Sequence, residues 1–98
     1  MLLKMGVDIS RLERPIRRAL NKIDAVFQKY GKESVITSTY EGNHSPGSLY
    51  YANLAVDIRS RDLSESEKNE LFKELSIVLE SGYDVVDENG HIHFEYDP

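Results

Sequence analysis

The dipeptide Asn89-Gly90 constrains this chain more than any other two residues. It stands between Tyr83-Asp84-Val85-Val86-Asp87 and His91-Ile92-His93-Phe94-Glu95-Tyr96, two runs rich in β-branched and aromatic residues. A two-residue type I′ turn needs a positive φ at both positions, and Asn-Gly supplies it, so the chain is expected to finish in a tight hairpin. A hairpin of known turn length has a set register, and the register assigns each side chain to a face. On the returning strand Ile92, Phe94 and Tyr96 fall on one face, and His91, His93 and Glu95 on the other. The apolar set has to be covered, which leaves the polar set for chemistry.

The covering elements are legible upstream. Pro15, followed by Ile16, Leu20, Ile23, Phe27 and Tyr30 at steps of three and four, describes an amphipathic helix that ends near Gly31. Val35 to Thr39 is a short β-branched strand, and it leads into turn chemistry from Glu41 to Ser48, a long loop for so small a chain. From Leu54 to Arg59 the residues alternate, with Leu54, Val56 and Ile58 facing the core and Ala55, Asp57 and Arg59 facing away. Ser64 with Glu67 forms a capping box that opens a second helix, whose buried stripe is Leu71, Leu75, Val78 and Leu79 before Gly82 stops it. The expected plan is one α+β domain over residues 1–98: a small antiparallel sheet of three or four strands, covered on one face by two helices. A chain of 98 residues has no room for a second core.

Composition narrows the chemistry. There is no cysteine, so disulfides and thiolate sites are excluded, and a metal would have to sit on histidine and carboxylate. The net charge is −5, and the early basic residues Arg11, Arg14, Arg17, Arg18 and Lys22 read as the solvated face of the first helix. The second half carries no basic stripe, which argues against a nucleic-acid partner. The apolar start is too short for a signal peptide and no run is long enough for a membrane span, so the expectation is a cytoplasmic protein, or one exported without a signal of its own.

A His-x-His on a strand usually means no more than a solvated sheet face. Asp57 changes the reading here, because it lies on the same side as His91 and His93 if their strands share a sheet. Imidazole and carboxylate are the donors that zinc takes, and a catalytic zinc uses three protein ligands and an open position for water. Asp57 and His93 supply two. The third should come from the loop before Asp57.

Ser48-Leu49-Tyr50-Tyr51-Ala52-Asn53-Leu54-Ala55-Val56-Asp57-Ile58-Arg59, followed by His91-Ile92-His93-Phe94-Glu95, resembles the zinc D-alanyl-D-alanine carboxypeptidase and Hedgehog-type peptidase family, especially its small phage and bacterial members. That family's pattern is Ser-x-His-x-x-Gly-x-Ala-x-Asp and then a hairpin with His-x-His. Ser48, Ala55, Asp57, His91 and His93 match it. Tyr50 stands where the family has a metal-ligand histidine, Asn53 where it has glycine, and Gly90 where many members have an acidic residue.

The resemblance implies a Hedgehog/DD-peptidase-like fold and a zinc metallopeptidase acting on peptidoglycan peptides. Zinc would be held by Asp57, His93 and a third donor, at Tyr50 or at His44 as its substitute. His91 and Glu88 would assist catalysis, and Ser48 and Arg59 would orient a substrate carboxylate. Because a phenol with a pKa near 10 is a poor ligand at neutral pH, the metal site is expected to be weak or absent, with the Tyr50 hydroxyl bonded to His93 or Asp57 instead. Two readings follow: a peptidase-like domain weakened or silenced at Tyr50, or a non-catalytic module on the same fold that binds a peptide, glycan or protein.

Overall fold

The computed structural model describes residues 1–41 and 47–98. Its elements run β1 (Leu2–Leu3), α1 (Arg14–Lys29), β2 (Val35–Ser38), β3 (Ala55–Arg59), α2 (Glu65–Val78), β4 (Tyr83–Glu88) and β5 (His91–Tyr96).

Each helix starts where local chemistry says it should. Pro15 lies in the first turn of α1, where its missing N–H has no intrahelical partner to lose. At α2, Ser64 Oγ accepts from the Glu67 N–H at 3.2 Å while Glu67 Oε1 accepts from the Ser64 N–H at 2.9 Å, satisfying two otherwise unbonded donors. α1 buries Ile16, Ala19, Leu20, Ile23, Val26 and Phe27, and its arginines and Lys22 stay exposed. α2 buries Leu71 and Leu75; Leu79 is buried just beyond its end, and Val78 is partly covered.

These helix residues form one cluster with Ile36, Val56, Ile58, Ile92 and Phe94, so both helices cover a single face of the sheet. Burial of each large side chain is worth roughly 1.5–3 kcal/mol, which makes this face the main source of stability. Leu54 departs from its expected place. It is half-buried and outside the cluster, because it still belongs to the turn before β3, with its N–H bonded to the Leu49 carbonyl at 2.9 Å.

The sheet has five strands in the order β1-β2-β3-β5-β4. It is mixed, not wholly antiparallel, because β1 pairs parallel with β2. A two-residue strand carries no readable period; its position is set by long-range bonds. The Leu2 N–H reaches the Ser34 carbonyl at 2.7 Å and the Lys4 N–H the Ile36 carbonyl at 2.9 Å. The terminal ammonium adds ion pairs to Glu33 at 2.9 Å and Asp24 at 3.2 Å. No helix among the described residues is long and apolar enough to cross a membrane.

The register of the central pair decides what the uncovered face presents. β3 and β5 are antiparallel, with Ala55 opposite Glu95, Asp57 opposite His93 and Arg59 opposite His91. Residues directly opposite each other in such a pair leave the same face. In β4, Glu88 lies opposite His91 across the terminal hairpin.

Candidate functional site

Tyr50 reaches the β3–β5 pair from a single turn ahead of β3. The Leu54 N–H returns to the Leu49 carbonyl at 2.9 Å and the Asn53 N–H to the Tyr50 carbonyl at 3.0 Å, the paired bonds of a Schellman closure. That closure needs a left-handed residue, and Asn53 has φ +62°; this is the position where the resembled pattern carries glycine. Ser48 Oγ accepts from the Tyr50 N–H at 3.2 Å, so Ser48 shapes the turn and does not line the cleft below.

The turn brings the Tyr50 hydroxyl onto Asp57 and His93 together. The hydroxyl donates a short hydrogen bond to Asp57 Oδ1. With its proton committed there, Tyr50 Oη accepts from His93 Nδ1 at 2.6 Å, and the same nitrogen lies 3.1 Å from Asp57 Oδ1. The other ring nitrogen, Nε2, faces Glu95 Oε1 at 2.6 Å. Both nitrogens therefore meet acceptors, a partner set that the imidazolium satisfies and neutral imidazole cannot. The hydrogen bond to Asp57 does most to hold the His93 pKa up at about 9; burial opposes it, and the Glu95 hydrogen bond and both carboxylate charges add to it. Burial pushes the Tyr50 phenol far above its usual value, with the Asp57 bond and the charges of Asp57, Glu88 and Glu95 acting the same way.

These three residues do not fit a zinc ion at neutral pH. A ligand phenol has to ionise, and every feature around Tyr50 opposes that. A ligand histidine has to offer a bare nitrogen, and with a pKa of about 9 its deprotonation at pH 7 costs on the order of 2–3 kcal/mol. His44, the proposed substitute ligand, lies outside the described residues.

A second cluster sits toward the hairpin end of the same face. His91 Nε2 is 2.9 Å from Glu88 Oε1 and 3.6 Å from Asp57 Oδ2. Acidic and histidine groups able to hold a metal ion are thus present among the described residues, as Asp57 with Glu88 and His91, and as Asp84 with Glu95 and Asp97. In the latter, Glu95 is already bonded to His93.

Asp57, Arg59 and His91 line a cleft of about 580 Å³, together with Lys4, Arg61, Thr37, Ser38 and the Asn89-Gly90 turn. None of Lys4, Arg59 and Arg61 forms a side-chain ion pair or hydrogen bond among the described residues. Lys4 and Arg61 were not apparent from local pattern. β1 brings Lys4 to the sheet only by pairing with β2, and Arg61 lies just past the end of β3. Glu95 was visible as a neighbour of His93 on the polar face, but its bond to Nε2 needed coordinates.

No family model matches this chain, and no curated protein matches it. The likeness to the zinc carboxypeptidases rests on the residues themselves.

Proposed function

We propose that this chain is a zinc carboxypeptidase-like domain whose hydrolytic centre is closed by Tyr50, and that it binds a cell-wall peptide through its carboxylate without cleaving it. The observation that carries this reading is the position of the Tyr50 hydroxyl, bonded at once to Asp57 and His93. That contact holds a proton between the two groups the resemblance assigns to zinc, and it leaves His93 a cation between carboxylates. Loss of the ion need not remove the cleft, since fold and chemistry separate readily. The cleft keeps three side-chain cations, at Lys4, Arg59 and Arg61, with the hydroxyl side chain of Thr37 beside them. Such groups suit a carboxylate ligand.

The test compares the unaltered protein with Tyr50→His, each supplied with zinc and a peptide ending in D-alanyl-D-alanine. The expected result is saturable peptide binding by the unaltered protein with no release of D-alanine, and release gained by Tyr50→His. Turnover by the unaltered protein, or absence of peptide binding, overturns the proposal.

A further inference from the structure

We infer that the open edge of β4, together with the groove between it and α2, docks an extended basic peptide in which apolar residues alternate with lysine or arginine. The groove shares no lining residue with the carboxylate cleft, and the inference does not depend on how that cleft is read.

The register decides which backbone groups of β4 the sheet uses. β4 ends the strand order, so among the described residues only β5 pairs with it. In a hairpin closed by a two-residue turn the flanking residues, here Glu88 and His91, exchange hydrogen bonds, and bonded residues alternate from there along the strand. The far end agrees. The Asp97 N–H reaches the Gly82 carbonyl at 2.7 Å, while the Tyr96 N–H turns the other way, to the Leu54 carbonyl at 2.9 Å. Asp84, Val86 and Glu88 therefore direct their backbone groups at β5, and those of Tyr83, Val85 and Asp87 point out of the sheet. Such a row of donors and acceptors is a template for one more strand.

The row is flanked by apolar surface on one side and by acid on the other. Toward the helices, Phe72, Leu75 and Leu79 recur at helical spacing and meet Tyr83 and Val85 across a groove of about 300 Å³. A strand laid along β4 turns every second side chain toward that groove. Its remaining side chains pass beside Asp84, Val86 and Glu88, all exposed on the open face. Asp84 has Glu95 as its cross-strand neighbour, and carboxylate oxygens of Asp84, Glu95 and Asp97 lie within 4.8 Å of one another. Lys68 and Lys22 reach Asp87 and Glu80 at 3.3 and 3.8 Å, whereas Asp84 forms no ion pair among the described residues. Glu80 and Asp84 line the groove, and no lysine or arginine does.

Charge selects the occupant. A second copy of this chain would lay Asp84, Asp87 and Glu88 along the same acidic strand, and like charges across a strand pair are destabilising. A peptide with lysine or arginine on its open side instead meets Asp84 and Glu88, while its apolar residues cover Leu75, Leu79 and Val85. Backbone bonds supply affinity in this mode, and the alternation supplies selectivity.

The experiment titrates the full chain, labelled for amide magnetic resonance, with a hexapeptide of alternating valine and lysine. Acetyl and amide ends deny the carboxylate cleft its ligand. Saturable binding is expected, with amide shifts concentrated at Tyr83, Val85 and Asp87. Asp84→Lys should weaken binding by about fivefold or more, and Asp62→Lys, an equal change of charge beside Leu2 at the opposite edge of the sheet, should stay within about twofold of the unaltered chain. Asp84 and Asp62 are both exposed, and circular dichroism checks that each variant keeps its fold. A peptide of alternating valine and glutamate should not bind. No saturable binding, equal binding of the glutamate peptide, amide shifts confined to the cleft of Lys4, Arg59 and Arg61, equal losses in the two variants, or dimerisation of the chain through β4 in the absence of peptide overturns the assignment.

Discussion

Asp57 and His93 stand directly opposite each other across β3 and β5, and their side chains leave the uncovered face with Asp57 Oδ1 3.1 Å from His93 Nδ1. Zinc chemistry in such a pair would require a bare nitrogen and a third neutral or anionic donor. The phenol at Tyr50 supplies a proton instead, and Glu95 holds the far side of the ring. The three side chains and Glu95 thereby form a buried ion-pair network. Breaking one partner of such a network costs far more than the network contributes when intact, because the remaining charge is left without compensation.

The network makes stability depend on pH in a definite direction. His93 titrates at about 9 in the folded chain against 6.5 as its ordinary value. Its contribution is complete below about 6.5 and is lost as pH rises through about 9, a change on the order of 3 kcal/mol. Urea unfolding of the unaltered chain between pH 6 and 10 should show that decline, and His93→Gln should remove it. A profile identical in the two proteins would count against the imidazolium assignment.

Removing only the phenol's oxygen tests how much the network relies on it. Tyr50→Phe keeps the ring but deletes the donor to Asp57 Oδ1 and the acceptor of His93 Nδ1, leaving the latter two to face each other at 3.1 Å. A loss of roughly 1–3 kcal/mol is expected, from a buried acceptor stripped of its donor. Equal urea midpoints for the two proteins would mean that the direct Asp57–His93 contact suffices.

Much of this site was legible in the sequence because strand geometry is local. Period-two alternation placed Asp57, His91, His93 and Glu95 on one side of their strands, and the Asn89-Gly90 turn set the register of the hairpin. The place of Tyr50 beside Asp57 came from the resemblance, which aligns it with a ligand position, whereas the left-handed backbone at Asn53 needed coordinates. What local pattern could not carry was pairing at a distance. Leu2-Leu3 becomes a strand only because Ser34 and Ile36 offer carbonyls to it, and with that strand comes Lys4 at the cleft. Leu54 went astray for a related reason. Alternation was extended one residue too far back, into a turn whose own hydrogen bond claims it.

Asn53 carries a testable strain. Its φ of +62° suits glycine, and its Oδ1 is buried without a hydrogen-bond partner among the described residues. Asn53→Gly removes the orphaned oxygen and keeps the left-handed turn, so it should stabilise by up to about 1 kcal/mol after the entropic cost of glycine. Asn53→Ala loses the orphan but clashes with the positive φ, and should destabilise by about 1 kcal/mol. Thermal unfolding of the pair should therefore move in opposite directions; matching shifts would show that the turn does not depend on φ at this position.

The cleft makes the last prediction, because the chain as a whole carries a charge of −5 and yet gathers Lys4, Arg59 and Arg61 around one hollow. Side-chain cations left without carboxylate partners in an acidic protein set up a local field that favours an anion. Arg59 is the most informative of them, since it is held on β3 opposite His91 while Lys4 and Arg61 are more exposed. Arg59→Gln should weaken binding of a peptide ending in D-alanyl-D-alanine by about tenfold, the scale of one charge-assisted hydrogen bond. Arg18→Gln, on the solvated face of α1, should leave it unchanged. Amidating the peptide's terminal carboxylate should weaken binding to the unaltered chain and have little further effect on Arg59→Gln. If amidation instead weakens both proteins equally, Arg59 does not read the carboxylate and the recognition lies with Lys4 or Arg61.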